Sequence, residues 1–128
     1  RDGERDAALR RRPPMTRLTV LLSYYNLQDY LDEAIASIRA QSFRDFILLL
    51  LDDGSTDDGP AIAARHAAAD PRIRVLRSPT NLGISANLNR GLAAVTTELV
   101  ALMDGDDVAL PERLGRQLAL RLGQTPPK

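Results

Sequence analysis

The run FILLLL at positions 46–51 restricts the fold more than any other feature of this chain. A strand with one face in water alternates apolar and polar residues. This run is apolar throughout, so it predicts a strand that is covered on both faces. Such strands are typical of parallel sheets with helices on both sides. Shorter apolar-rich runs at 18–22, 73–76 and 99–103 predict three further strands.

Helical patterns separate these strands. Two apolar stripes recur at spacings of three and four residues; they consist of Leu31, Ala34, Ile35 and Ile38, and of Ile84, Leu88, Leu92 and Val95. Between them, alanine-rich residues 61–69 predict a helix that ends at Asp70. A last helix is predicted from Pro111 to about Leu122. The predicted N-caps are Asn26 for the first helix and Ser55 or Thr56 for the second.

This alternation of strands and helices predicts an α/β fold with three layers and a mainly parallel, doubly wound sheet. We expect one domain over residues 17–123. Residues 1–16 have mixed charge and no apolar periodicity, so they are interpreted as a disordered leader or a cloning remnant, and residues 124–128 as a tail.

Composition excludes several classes of function. Seventeen basic and seventeen acidic residues give no net charge to attract nucleic acid. Cysteine is absent, so no thiolate metal site exists, and the single histidine, His66, is interpreted as a surface or packing residue. No apolar run is long enough to span a bilayer. We therefore expect a cytoplasmic location, with a peripheral position at the inner membrane face as the alternative.

Polar side chains follow three of the predicted strands, and the carboxyl ends of parallel strands meet at one edge of a sheet. Ser23 and Tyr25 follow the first strand, and Asp52 and Asp53 follow the second. The fourth strand is followed by the carboxylate trio, Asp104, Asp106 and Asp107. Three neighbouring carboxylates repel one another, and a divalent cation with oxygen ligands relieves that repulsion. A solvated Asp-Gly turn is the alternative interpretation.

These motifs, in this order, resemble the nucleotide-sugar-binding half of an inverting family 2 glycosyltransferase with the GT-A fold. The resemblance covers about residues 18–122 and rests on LSYYN, AQSF, LLDDGSTD, NLGISANLNRGL and MDGDDVALPERL. Two positions depart from the family pattern. Ser23 stands where proline is usual, and Leu88 stands where many relatives have a basic residue that faces the pyrophosphate.

The resemblance implies a role for each candidate residue. Ser23 and Tyr25 correspond to residues at the nucleobase edge, Asp53 to the acceptor for the uracil ring, and Asp106 to a residue near the ribose and the metal. Asp107 corresponds to a direct ligand of Mg²⁺ or Mn²⁺. Further candidates for nucleotide binding are Asp52, Asn81 and Asp104. Asn26 is interpreted as a helix cap.

The implied reaction transfers a sugar, with inversion, from a nucleoside diphosphate to an acceptor hydroxyl, and a UDP-sugar is the favoured donor. The acceptor would be a saccharide or a lipid-linked saccharide. The family's catalytic base lies in a later segment, and the only later acid here, Glu112, is better explained by the helix dipole. We therefore expect a donor-binding half without the acceptor half, and a homo-oligomer is an open expectation.

Two further interpretations compete with this one. A non-catalytic or vestigial nucleotide-binding domain that acts with a partner chain has the same motifs. A receiver-type phosphoacceptor domain also places acids at strand ends, but it needs a Ser/Thr strand and a Lys strand after the last acid. A phosphate-loop NTPase is excluded because no glycine-rich loop ending in Lys-Ser/Thr occurs.

Overall fold

The computed structural model describes residues 18–114, which form a four-stranded parallel sheet with helices on both faces. The strands are β1 (Leu18–Tyr24), β2 (Phe46–Asp52), β3 (Ile73–Arg77) and β4 (Leu99–Asp104). The helices are α1 (Gln28–Arg39), α2 (Gly59–Ala69) and α3 (Ile84–Ala93). The strand order is β3-β2-β1-β4, so β1 is central and β4 is an edge strand in this part of the chain. The predicted parallel α/β sheet is confirmed.

The two faces of the sheet have separate apolar cores, as a strand covered on both sides requires. Leu48 and Leu50 of β2 lie in the larger core with residues of α1 and with Ala63 of α2. Leu49 and Leu51 lie in the smaller core, together with Leu88 of α3. Helices α1 and α2 therefore cover one face and α3 covers the other. None of the helices in this described region is long and apolar enough to cross a membrane.

Both predicted helix caps are wrong, and both errors have the same cause. Helix α1 has Leu27 as its N-cap and α2 has Asp58, and neither makes a side-chain capping bond. Asn26 instead has φ 52° and accepts a hydrogen bond from the Thr56 amide through Oδ1. Ser55 Oγ accepts from the Asn26 amide. These side chains bind the neighbouring loop rather than their own helix.

The predicted apolar face of α3 is also partly wrong. Ile84 is 74% exposed and Leu92 is 47% exposed, whereas Asn87 and Gly91 are buried. A Cβ on Gly91 would lie 2.5 Å from Leu51 Cδ1, so a glycine is needed where α3 packs on β2. The helix therefore turns its smallest residue to the sheet and leaves two large apolar ones outside.

His66 packs between α1 and α2. It is buried, Arg39 Nη1 donates to its Nδ1 at 3.0 Å, and its Nε2 lies 2.6 Å from Asp32 Oδ1. Because Nδ1 accepts, the ring proton is on Nε2 and points to Asp32. That hydrogen bond lowers the pKa of Asp32. The structure thus gives His66 the predicted packing role.

Several predictions fall outside residues 18–114. They are the leader and the tail, and the last helix beyond its first four predicted residues, including Leu122. The chain from Ala109 to Pro111 runs beside the second half of α1: the Ala109 amide donates to Ser37 Oγ, and the Pro111 carbonyl accepts from the Ser42 amide.

Candidate functional site

A pocket of about 290 Å³ opens at the carboxyl edge of the sheet. The register brings its walls together, because Ser23 of β1 lies opposite Asp104 of β4, and β2 ends next to β1. The pocket is lined by Ser23, Tyr24, Tyr25, Leu27, Asp53, Ile84, Asn87, Asp104 and Asp106. Five of the eight residues predicted for the site therefore meet here. Asp52, Asn81 and Asp107 are not among the lining residues.

The carboxylate trio forms the outer corner of the site. One carboxylate oxygen from each of Asp104, Asp106 and Asp107 lies within 4.8 Å of the others, and all three residues are exposed. A tight turn holds them, because the Asp107 amide donates to the Asp104 carbonyl at 3.1 Å. Asp107 Oδ2 accepts from the Asp104 amide at 3.3 Å. Hard oxygen ligands at this spacing fit a divalent cation such as Mg²⁺ or Mn²⁺.

Asp53 lies at the inner end of the pocket and is only 4% exposed. Its two oxygens accept hydrogen bonds from successive backbone amides: Oδ1 from Leu82 at 2.7 Å and Oδ2 from Gly83 at 3.0 Å. Gly83 is the N-cap of α3. Asp53 therefore fixes the start of α3 against the end of β2, and only the remaining lone pairs of its carboxylate face the pocket.

Asp52 has no exposed surface and does not line the pocket. Its Oδ1 accepts from the Ser55 amide at 2.8 Å, and its Oδ2 lies 3.7 Å from Arg77 Nε. Tyr24, Asp52 and Arg77 are register neighbours across β1, β2 and β3. Burial, and then the nearby Asp52 charge, raise the pKa of Tyr24. Asp52 thus shapes the loop and does not reach the pocket.

Asn81 was also predicted to contact the nucleotide, and it is exposed on the loop before α3. Its loop lies tightly against Gly54, which has φ 78°. A Cβ on Gly54 would lie 2.5 Å from the Thr80 carbonyl carbon. The backbone of Thr80 and Asn81 is therefore packed directly on the loop that follows β2.

Four lining residues were not predicted from the sequence: Tyr24, Leu27, Ile84 and Asn87. Asn87 is the most informative, because it is a buried amide with both ends satisfied. Its Nδ2 donates to the Leu51 carbonyl at 3.0 Å, and its Oδ1 accepts from Arg90 Nη2 at 2.8 Å. The sequence signal for Asn87 is a polar residue one helical turn after Gly83. It was missed because the apolar stripe that includes Leu88 was used to predict the buried face of this helix.

The electrostatics of the pocket are one-sided. Asp53, Asp104 and Asp106 contribute three carboxylates to the lining, and no cation of the described chain lines it. The Arg90 guanidinium does not line the pocket and donates to Asn87 Oδ1, which does. An anionic ligand would therefore meet like charges unless a cation accompanies it.

A parallel sheet with a polar pocket beyond the carboxyl ends of its strands defines a Rossmann-like α/β domain. Comparison with known proteins makes the class specific. The chain belongs to glycosyl transferase family 2, whose family model matches residues 19–121.

Individual relatives agree with this assignment. The chain is 38% identical over 104 residues to EpsE of Bacillus subtilis. The aligned residues cover 80% of this chain and 37% of EpsE. Among solved structures, S. aureus TarS with UDP-GlcNAc is 26% identical with a TM-score of 0.77, covering 84% of this chain and 31% of that one. Glucosyl-3-phosphoglycerate synthase from Mycobacterium tuberculosis with UDP is 25% identical with a TM-score of 0.67, covering 94% and 43%. This chain spans well under two thirds of each of these proteins.

Proposed function

We propose that this chain binds a nucleoside diphosphate sugar together with a divalent cation, as the donor domain of an inverting glycosyltransferase. The observation that carries the proposal is the 290 Å³ pocket, which joins a buried acceptor, Asp53, to the exposed carboxylate trio. The Asp53 carboxylate can accept from the N–H edge of a base, and the carboxylate trio can bind a cation that is shared with phosphates.

Each lining residue has a part in this proposal. Tyr25 is 44% exposed at the pocket and would stack on the base, and Ser23 would donate to it. Asp53 would accept from the base through lone pairs that its backbone partners leave open. Asp106 would hold the ribose and the cation, and Asp107 the cation. Asp104 is proposed as a further ligand at the same corner, and Asn81 as a contact from the loop above.

A divalent cation is expected at the trio. When bound, Mg²⁺ or Mn²⁺ would neutralise the diphosphate charge. The three carboxylates fit it by their spacing and by their oxygen chemistry. UDP is the favoured nucleotide because TarS, at 26% identity, was solved with UDP-GlcNAc.

In the proposed reaction an acceptor hydroxyl displaces the nucleoside diphosphate from the sugar's anomeric carbon. We do not assign the base to Glu112. Its neighbour Pro111 contacts Ser42, just beyond the end of α1, and this places Glu112 at the sheet edge opposite the pocket. We propose that residues 17–123 form the donor domain and that the base belongs to a segment outside it.

Calorimetric titration of the 128-residue chain with UDP, GDP and dTDP, with and without Mn²⁺, tests the proposal. We expect UDP binding that requires Mn²⁺ and weakens about tenfold or more in Asp107→Ala. Loss of a residue that only hydrogen-bonds a metal ligand already lowers metal affinity by about this factor. Asp45→Ala is the matched control, because Asp45 is an exposed acid just before β2, at the far edge of the sheet. No heat with any nucleotide, or equal losses in both variants, would contradict the proposal.

A further inference from the structure

Two loops at the carboxyl edge are joined by four hydrogen bonds from backbone amides to side chains, and each loop both donates and accepts. The Asn26 amide donates to Ser55 Oγ at 3.0 Å, and the Thr56 amide donates to Asn26 Oδ1 at 2.8 Å. In the next pair, the Gln28 amide donates to Asp57 Oδ2 at 3.0 Å, and the Asp58 amide donates to Gln28 Oε1 at 2.9 Å. We call these contacts, made by the side chains of Asn26, Gln28, Ser55 and Asp57, the clasp.

The backbone of Asn26 is bent to make these contacts. Its φ of 52° is the only positive value among the non-glycine residues in the described part of the chain. Left-handed backbone is uphill for residues other than glycine, although asparagine tolerates it best. The bend comes directly after Tyr25 and turns the chain from β1 into α1. The clasp therefore fixes the direction in which Tyr25 leaves the sheet.

The clasp joins two walls of one pocket. Tyr25 precedes it on the first loop, and Asp53 precedes it on the second. None of the four clasp residues lines the pocket itself. Their polar atoms are directed at the neighbouring loop, so removing them changes the spacing of the walls without removing a ligand contact.

We propose that Asn26 and Gln28 are positioning residues that hold Tyr25 at a set distance from Asp53 and thereby fix the width of the base-binding end of the pocket. This inference rests on the proposed function. It assigns that role to residues outside the pocket lining. It also explains why so much of LLDDGSTD makes contact with protein rather than with open solvent: Asp52, Ser55 and Asp57 all accept from backbone amides.

The test uses two substitutions at Asn26, one that removes the acceptor and one that keeps it. Asn26→Gly removes Oδ1 and accepts φ 52° without strain, whereas Asn26→Asp keeps an acceptor and still tolerates this backbone. The control is Ser42→Ala, which removes the Ser42 Oγ bond to the Pro111 carbonyl at the opposite edge. Each variant is titrated with UDP and Mn²⁺, and Mn²⁺ affinity is measured separately.

We expect Asn26→Gly to bind UDP about threefold to tenfold more weakly, the factor for one hydrogen bond of ordinary net strength. Its Mn²⁺ affinity should equal that of the parent chain, because the trio does not touch the clasp. Asn26→Asp should recover most of the UDP affinity, and Ser42→Ala should lose none.

The outcomes separate the two proposals. If the parent chain binds UDP and Asn26→Gly binds it equally well, the positioning role is wrong and the donor site stands. A uniform loss in Asn26→Gly and Asn26→Asp, or a matching loss of Mn²⁺ affinity, also overturns the role. If the parent chain itself fails to bind UDP, the proposed function is wrong, and this inference is wrong with it because it rests on that function. Hydrogen exchange at the Thr56 amide checks the contact directly, and it should accelerate in Asn26→Gly only.

Discussion

Replacing Asp53 with asparagine should destabilise the fold more than any other single loss of charge at the carboxyl edge. The substitution keeps the shape of the side chain and leaves one acceptor in place of two. Two successive amides, of Leu82 and Gly83, donate to the native carboxylate at 2.7 and 3.0 Å. Whichever way the asparagine amide turns, one backbone N–H faces its NH₂ group. Because Asp53 is only 4% exposed, we expect water to replace the missing acceptor poorly.

The size of the effect follows from this contact. A hydrogen bond to a charged group contributes about 1.5 to 3 kcal/mol, and a buried donor left unpaired costs about the same range. Removing the charge beside Asp52 relieves some repulsion and offsets part of the loss. We expect the free energy of unfolding to fall by about 2 kcal/mol. In a domain of this size that corresponds to about 10 °C in melting temperature.

Urea unfolding followed by circular dichroism measures the loss, and Asp106→Asn is the matched control. Asp106 is exposed and lines the same pocket. It should lose nothing and could gain slightly, because neutralising it lowers repulsion within the trio. Hydrogen exchange should accelerate at Leu82 and Gly83 in Asp53→Asn alone. Equal urea midpoints for the two variants would refute the reasoning, since Asp53 would then carry no more structure than an exposed acid.

Two further predictions concern stability. Hydrogen bonds from Arg72 lower the pKa of Asp70 to about 2. The ionised carboxylate therefore stabilises the fold above its unfolded pKa of about 3.9, and this stabilisation is lost as the pH falls through about 2. The unfolding free energies of the parent chain and Asp70→Asn should differ by about 1 to 2 kcal/mol at pH 6 and converge near pH 2; a constant difference would contradict the linkage. Gly54→Ala should lower the free energy of unfolding in urea by about 3 kcal/mol or more, because φ 78° and a 2.5 Å approach to the Thr80 carbonyl carbon leave no room for a Cβ. A decrease of less than about 1 kcal/mol would mean that the 80–83 loop moves away freely.

The strands and the location of the site were predictable because both depend on patterns local in the sequence. Continuous apolar runs predicted four parallel strands, and each was found within two residues of its predicted bounds. Once the strands are parallel, their carboxyl ends must share an edge. That geometry alone brings Ser23, Asp53 and Asp104 to one pocket. No detail of side-chain packing was needed for this step.

The helix caps and the face of α3 were not predictable, because they depend on competition between partners far apart in sequence. Asn26 is a good cap by residue type, but the Thr56 amide, thirty positions away, claims its oxygen. On α3, Ile84 and Leu92 belong to the apolar stripe and yet lie outside, since the close approach of the helix at Gly91 sets its rotation. Neither outcome follows from a window of neighbouring residues.

The acidic motifs after β2 and after β4 look alike in sequence but occupy opposite electrostatic conditions. Asp52 and Asp53 are buried, and three of their four carboxylate oxygens accept from backbone amides, whereas Asp52 Oδ2 accepts no hydrogen bond in the described chain and lies 3.7 Å from Arg77 Nε. The trio after β4 is exposed, and the only hydrogen bond that its carboxylate oxygens accept within residues 18–114 is the weak one from the Asp104 amide to Asp107 Oδ2. A cation bound there would relieve its mutual repulsion. Substitutions after β2 therefore change fold and pocket together. Substitutions after β4 should leave the fold intact, so a loss of binding in those variants would be attributable to the proposed ligand site alone.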